Sequence, residues 1–180
     1  MEERYKNINV SDEILVEGCK KHDRRTQELL YRKYARSMYY VCLSYTGNNK
    51  EVAKDILQDA FLKVYRNINK YNNTGPLEGW IRRIVSNTAI DFFRSNKKNR
   101  FSVPVEEVQN LSESDKNEVE ISSGTEEIYS MIRDLPEGAR VIFQLFAVEG
   151  YSHKEIAEKL DISESTSKSQ FQRARKILKN

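Results

Sequence analysis

A chain of 180 residues, with 38% hydrophobic and 32% charged residues and only 7 Gly and 3 Pro, suits one ordinary helical domain or two small ones. That composition excludes collagen-like, wholly disordered and disulfide-rich secreted classes. The net charge of +3 conceals an asymmetry: residues 1–100 carry 20 Lys+Arg against 12 Asp+Glu, residues 101–134 carry 2 against 9, and residues 135–180 carry 8 against 6. Two basic blocks therefore flank an acidic one, and basic blocks point to phosphate-bearing partners. Cys19 and Cys42 form no Cys-x-x-Cys pair or Cys/His cluster, so no metal and no cofactor is expected, and both thiols read as buried. No apolar run approaches the roughly 20 residues that span a bilayer. MEERYKNINVSDEIL lacks the order of a signal peptide, so a cytoplasmic chain without direct membrane insertion is expected.

A first short helix is expected near Ser11 to Lys21. From Thr26 to Tyr45, Leu29, Leu30, Tyr34, Met38, Val41, Cys42 and Tyr45 recur three or four apart, the spacing of one helix face. Thr46-Gly47-Asn48-Asn49 ends that helix with turn residues. The next helix, from about Lys50 to Arg66, has Val52, Ala53, Ile56, Leu57, Ala60, Phe61 and Val64 as its buried stripe. NINKYNNTGPLEG reads as a loop, and a further helix runs from Leu77 or Gly79 to about Lys97. Residues 99–124 are polar, acidic and rich in Ser and Asn, too poor in apolar surface to offset their ordering entropy, and are expected to be a flexible linker.

A second helical block spans 125–180. Leu135-Pro136 opens a helix whose core side is Val141, Ile142, Leu145, Phe146 and Val148, and Gly150 stops it. Ser152 followed by Glu155 is a capping box, so a helix starts at about His153 and ends near Leu160. After Asp161-Ile162-Ser163, Ser163 caps another helix from about Glu164 to Leu178. Helix, short turn, helix is a plan whose second helix enters the DNA major groove. On that helix Ser167, Phe171, Ala174 and Leu178 face inward. Ser165, Lys168, Ser169, Gln172 and Lys176 form the outer face, with Thr166 beside its start and Arg173 and Arg175 flanking it. A solvated helix normally mixes Glu with Lys, yet this one has no acid after Glu164. Its outer groups are phosphate and base-edge donors. The expected architecture is all-α: two small helical domains, 1–98 and 125–180, on a flexible acidic linker.

DILQDAFLKVYRNINKYN followed by GPLEGWIRRIVSNTAIDFFRSNKK resembles region 2 of bacterial RNA polymerase sigma factors of the sigma-70 family, most closely the extracytoplasmic-function (ECF) group. LPEGARVIFQLFAVEGYSHKEIAEKLDISESTSKSQFQRARKIL is similar to region 4 of the same family. The resemblance implies a factor that binds core RNA polymerase and directs promoter-specific initiation without catalysing a reaction. It assigns Asp55, Gln58, Asp59 and Leu62 to core-polymerase binding; a solvated face explains the polar three, and exposed Leu62 less well. It assigns Asn69, Lys70, Tyr71, Asn72 and Asn73 to an unpaired base of the minus-ten element, and a cation, an aromatic and amides are group types that stack on and hydrogen-bond such a base. Arg82, Arg83, Asn87 and Arg94 are assigned to the same melted strand. Arg82 and Arg83 point about 100° apart, so at least one is expected exposed. Trp80 is expected to anchor the core at the helix start, and Asp91 to pair with a neighbouring Arg. Ser165, Thr166, Lys168, Ser169, Gln172, Arg173 and Lys176 are assigned to the minus-thirty-five element. The resemblance also implies a linker that threads toward the RNA exit channel, and an anti-sigma factor as a candidate partner.

Two residues depart from the family pattern. Asp161 stands where Gly is frequent, and Asp tolerates left-handed φ. Ser167 stands where an apolar residue is usual, and its hydroxyl needs a partner, for which the Ser163 carbonyl one turn back is available. The alternative is a stand-alone helix-turn-helix regulator that binds DNA without polymerase. A nucleic-acid enzyme is disfavoured: His22 and His153 are the two histidines, His153 is expected exposed at a helix start, and no carboxylate cluster, P-loop or zinc set is present.

Overall fold

A computed structural model of the chain describes residues 10–95 and 131–179. The expected linker, the helix end near Lys97 and the start of the second block at 125 lie outside the described residues. The chain divides into two compact units, Met1–Ile90 and Asp91–Asn180, and among the described residues there is no strand.

The first unit opens with α1 (Asp12–Lys20), where the Ser11 side chain accepts from the Ile14 N–H. In α2 (Arg24–Thr46), Asp23 accepts from the N–H groups of Arg25 and Thr26. α2 ends in left-handed turn residues, Gly47 at φ 62° and Asn48 at φ 67°, as the Thr-Gly-Asn-Asn signal predicts. α3 (Lys50–Asn67) then starts with the Asn49 side chain accepting from the Val52 N–H. These caps satisfy donors that the first helical turn leaves unpaired.

α2 and α3 pack as a hairpin. Tyr31 meets Phe61 edge to face at 4.8 Å, and the Tyr65 hydroxyl donates to the Gln27 carbonyl at 3.0 Å. The predicted stripes are buried, with Leu29, Val41 and Val52 half-buried at their edges. Cys19 and Cys42 are both buried, and burial pushes the Cys42 thiol up to about 12, which leaves it protonated and unreactive at neutral pH. A 3₁₀ turn (Ile68–Lys70) leads into the loop, and α4 (Leu77–Ser95) follows with Ile81, Val85 and Ala89 buried at four-residue spacing.

α1 is held to α2 by one polar knot. Asp12 accepts from the Lys33 ammonium at 2.7 Å and from the Tyr34 hydroxyl at 2.6 Å, and Lys33 also donates to the Val10 carbonyl at 2.9 Å. Burial pushes the Asp12 carboxyl up, but the bonds from Lys33 and Tyr34 outweigh it and hold it below its ordinary value. A carboxylate depressed by folding stabilises above its unfolded pKa and loses that contribution as pH falls through the folded one. Asp12→Asn is therefore expected to reduce the loss of stability between pH 7 and pH 3, read as a smaller shift in urea midpoint than in the wild type.

In the second unit, α5 (Glu137–Phe143) widens without a break into a π-helical segment, Gln144–Val148. α6 (His153–Leu160) and α7 (Glu164–Ile177) follow. Pro136 is the N-cap of α5, with ψ 142°, one position earlier than the predicted first turn; its missing N–H is harmless there. Ile132, Leu135, Ala139 and Ala174 form a core against which Phe143 and Leu178 pack. Val148 departs from the predicted core side and is 45% exposed. The π turn spends an extra residue per turn, closed by the Glu149 N–H on the Gln144 carbonyl at 3.0 Å, and this rotates Val148 off the inward face. Gly150, at φ 77°, ends the segment.

Candidate nucleic-acid interface

Local capping builds the helix-turn-helix. Ser152 and Glu155 form the reciprocal capping box at the start of α6. Burial is slight there, and the bond from the Ser152 backbone holds the Glu155 carboxyl below its usual range. Asp161 closes α6 in the left-handed region, at φ 53° and ψ 51°, the conformation expected of a residue standing in for Gly. The Ser163 side chain accepts from the Thr166 N–H at 3.0 Å, and its hydroxyl also meets those of Ser165 and Thr166 at 2.8 Å each. Ser165, Lys168, Ser169, Gln172, Arg175 and Lys176 are exposed, while Thr166 and Arg173 are half-buried. Lys168 already pairs with Glu164 at 2.7 Å, the one i,i+4 pair on this helix face among the described residues. The hydrogen bond from Lys168 keeps the Glu164 carboxyl below its usual range. Lys168 must exchange that partner to reach a phosphate, and the hydroxyls of Ser165 and Ser169 must likewise turn from the Ser163 hydroxyl at 2.8 Å and the Thr166 carbonyl at 3.0 Å to reach a base edge.

The inward face differs from expectation at two residues. Ser167 is fully buried, but its hydroxyl pairs with His153 Nδ1 at 2.9 Å rather than with the Ser163 carbonyl, which instead accepts the Ser167 backbone N–H at 3.1 Å. His153, expected to be exposed, is half-buried and stacks on Phe146 at 4.4 Å, 15° between planes. Its sequence position at a helix start concealed a packing role, because the aromatic partner comes from the π segment.

In the first unit, the loop after α3 is held by its own side chains. Asn69, Lys70, Asn72 and Asn73 are exposed. Tyr71 departs from the expected stacking platform: it is 8% exposed, packs against Trp80 at 5.5 Å, and donates its hydroxyl to the Gly75 carbonyl at 2.6 Å. Asn72 Oδ1 accepts from the Thr74 hydroxyl at 2.8 Å, and Asn73 takes a left-handed φ of 59°. Trp80 is half-buried, Arg83 is exposed and Arg82 and Asn87 are half-buried. Arg94 pairs with Asp91 at 3.5 Å, so the expected partner of Asp91 is the arginine three residues on.

On α3, Asp55, Gln58 and Asp59 are exposed and Leu62 is 51% exposed. Their spacing puts them on one stripe, opposite the buried Ala53, Ile56, Ala60 and Val64. The stripe thus presents two carboxylates, an amide and an exposed Leu on one face.

One structural residue escaped the sequence reading. Arg140 is 7% exposed and donates to the carbonyls of Arg133 at 3.2 Å and Leu135 at 2.7 Å, capping the helical turn that precedes α5. The available signal was the nearly continuous apolar run around it, which marks a helix buried on most sides.

Residues 30–99 match the family described as Sigma-70 region 2, and residues 125–178 match Sigma-70, region 4. The chain is 34% identical to RNA polymerase sigma factor SigZ of Bacillus subtilis (strain 168), over 76% of each chain. It is 27% identical to the ECF RNA polymerase sigma-E factor of Haemophilus influenzae, over 95% of each. Among solved structures, CnrH in complex with the cytosolic domain of CnrY aligns with a TM-score of 0.48 and 20% identity, over 93% of this chain and 94% of that one. With regions 2 and 4 matched in that order, and a relative above 30% identity spanning three quarters of both chains, the protein belongs to the sigma-70 family of RNA polymerase sigma factors, in its extracytoplasmic-function group.

Proposed function

We propose how this sigma factor engages its partners as it directs core RNA polymerase to promoters. The α3 stripe of Asp55, Gln58, Asp59 and Leu62 docks on a basic surface of the core enzyme. α7 enters the major groove of the minus-thirty-five element with Ser165, Ser169 and Gln172 toward base edges and with Lys168, Arg173 and Lys176 toward phosphates; Thr166 supports the start of that helix. Asn69, Lys70, Asn72 and Asn73 receive an unpaired minus-ten base, and Tyr71 sets the loop's shape from inside. Arg82, Arg83, Asn87 and Arg94 line the path of the melted strand. The domain limits that go with this reading are 1–98 for the polymerase and minus-ten part, 99–124 for the linker and 125–180 for the minus-thirty-five part. The protein acts as a non-catalytic initiation factor in the cytoplasm, where core polymerase works, and an anti-sigma factor is a candidate partner for it when it is not engaged. No described helix is long and apolar enough to cross a membrane.

The observation that carries this reading is the capped helix-turn-helix, with no exposed acid beyond Glu164 on its outer face, on the same chain as the exposed Asp55/Gln58/Asp59/Leu62 stripe. Sequence-specific melting exchanges pairing and stacking for contacts to protein, and two small modules gain promoter affinity when a common scaffold holds them at the right spacing. The purified chain is expected to co-migrate with bacterial core polymerase on a sizing column and to support run-off transcription from selected promoters, while binding duplex DNA weakly by itself. Tight duplex binding by the free chain with no polymerase complex would overturn the proposal in favour of a stand-alone regulator.

A further inference from the structure

Three elements of the second unit meet at the His153 ring. It is the first residue of α6. One face stacks on Phe146 of the π segment at 4.4 Å, Phe171 of α7 approaches edge-on at 5.6 Å, and Phe146 and Phe171 touch at 4.5 Å. From this wedge Nδ1 reaches Ser167 Oγ at 2.9 Å, and Ser167 is 0% exposed. Ring contacts tolerate sliding and small rotations, whereas a hydrogen bond is directional and loses strength steeply with angle. The His153–Ser167 bond is thus the angular constraint in an otherwise slippery apolar seam.

That constraint acts on the helix whose opposite side carries Ser165, Ser169 and Gln172. A side-chain tip at about 6 Å from a helix axis moves about 1 Å when the helix rotates by about 10°, enough to spoil a hydrogen bond to a base edge. We infer that His153 and Ser167 form a positioning pair that sets the rotation of α7 and thereby the base discrimination of the minus-thirty-five contact. This inference rests on the reading that α7 enters duplex DNA.

The two partners are unequal. His153 is half-buried and its ring nitrogen can turn to water, whereas a fully buried Ser167 hydroxyl without its imidazole has only the Ser163 carbonyl to turn to, and the Ser167 N–H already occupies that carbonyl. His153→Phe keeps the stack and strands the hydroxyl. Ser167→Ala removes the hydroxyl. The double variant removes the bond and also the stranded group. His153→Asn places an amide near the position of Nδ1 and keeps the bond.

The test uses holoenzyme assembled from the full chain and bacterial core polymerase. Binding sequences are selected with wild-type holoenzyme from a randomised duplex pool. Each variant is then read for the affinity ratio between the selected duplex and its single-base-pair changes, and for melting temperature. His153→Phe is expected to lower the discrimination ratio about tenfold, the scale of one base-edge contact, and to lower the melting temperature. Ser167→Ala lowers the ratio similarly with a smaller thermal effect. In the double variant the melting temperature recovers but the ratio stays low, and in His153→Asn the ratio returns toward wild type. An unchanged ratio in His153→Phe, a ratio that recovers together with melting temperature in the double variant, or no rescue by His153→Asn would overturn the inference while leaving the reading of α7 in place. A wild-type holoenzyme that selects no minus-thirty-five sequence would overturn both.

Discussion

Arg140→Met is expected to melt the second unit while the first stays folded. Methionine keeps most of the buried volume, so the loss isolates the polar contacts. The guanidinium donates to two carbonyls, those of Arg133 and Leu135, at a site 7% exposed. A buried acceptor left without its donor costs about 1–3 kcal/mol; the Leu135 contact is buried and the Arg133 contact part-buried, so losing both costs roughly 2–4 kcal/mol, a large share of the stability of a small helical unit. Neither carbonyl can be deleted to compensate, because both belong to the backbone. Amide exchange measured segment by segment should accelerate by about 30-fold or more over 131–179, where about 1.4 kcal/mol is tenfold, and hold steady over the first unit. Co-migration with core polymerase should persist, since the α3 stripe lies in the first unit, while minus-thirty-five selection disappears. Unchanged exchange over 131–179 would show that the two bonds do not contribute as their burial implies.

The second large effect is expected at Gln58→Ala together with Asp59→Ala. Both side chains are exposed and Ala has the highest helix propensity, so α3 should be as stable as before. Binding to core polymerase should weaken by about 100-fold or more, because loss of a central charged contact strands its basic partner in the interface. A sizing column with the wild type alongside checks the complex, and a thermal melt of the free variant checks the fold. A double variant that still co-migrates at the wild-type concentration dependence would remove α3 from the polymerase interface and leave the family assignment untouched.

The element boundaries were legible wherever the signal was local. Ser11, Asp23, Asn49, Ser152 and Ser163 each cap a helix with a bond to a residue two or three positions on, so the information sits inside a window that sequence inspection covers. The exposed stripe of α3 was legible for the same reason: periodicity separates its faces without reference to the rest of the fold. The failures share a cause. Tyr71 is taken inward by Trp80 nine positions later, Arg140 is claimed by carbonyls five and seven positions earlier, and His153 and Ser167 find each other across fourteen residues. No residue pattern announces those partners, since they depend on how helices cross. Val148 was misplaced for a related reason. The π turn shifts the helical phase, and a strict 3.6-residue period therefore misplaces the side chain at the end of the segment.

Under the proposed reading, in which this loop receives an unpaired base, the inward turn of Tyr71 bears on how fast a promoter can be opened. The clip between its hydroxyl and Gly75, the Asn72–Thr74 bond and the left-handed Asn73 give the loop its shape in the free protein. A receptor that is already shaped gives up little conformational entropy when its ligand arrives. Capture of a flipped base should then be limited by the breathing of the DNA itself, so that strand-opening rates follow the base composition of the minus-ten region more closely than any property of the loop.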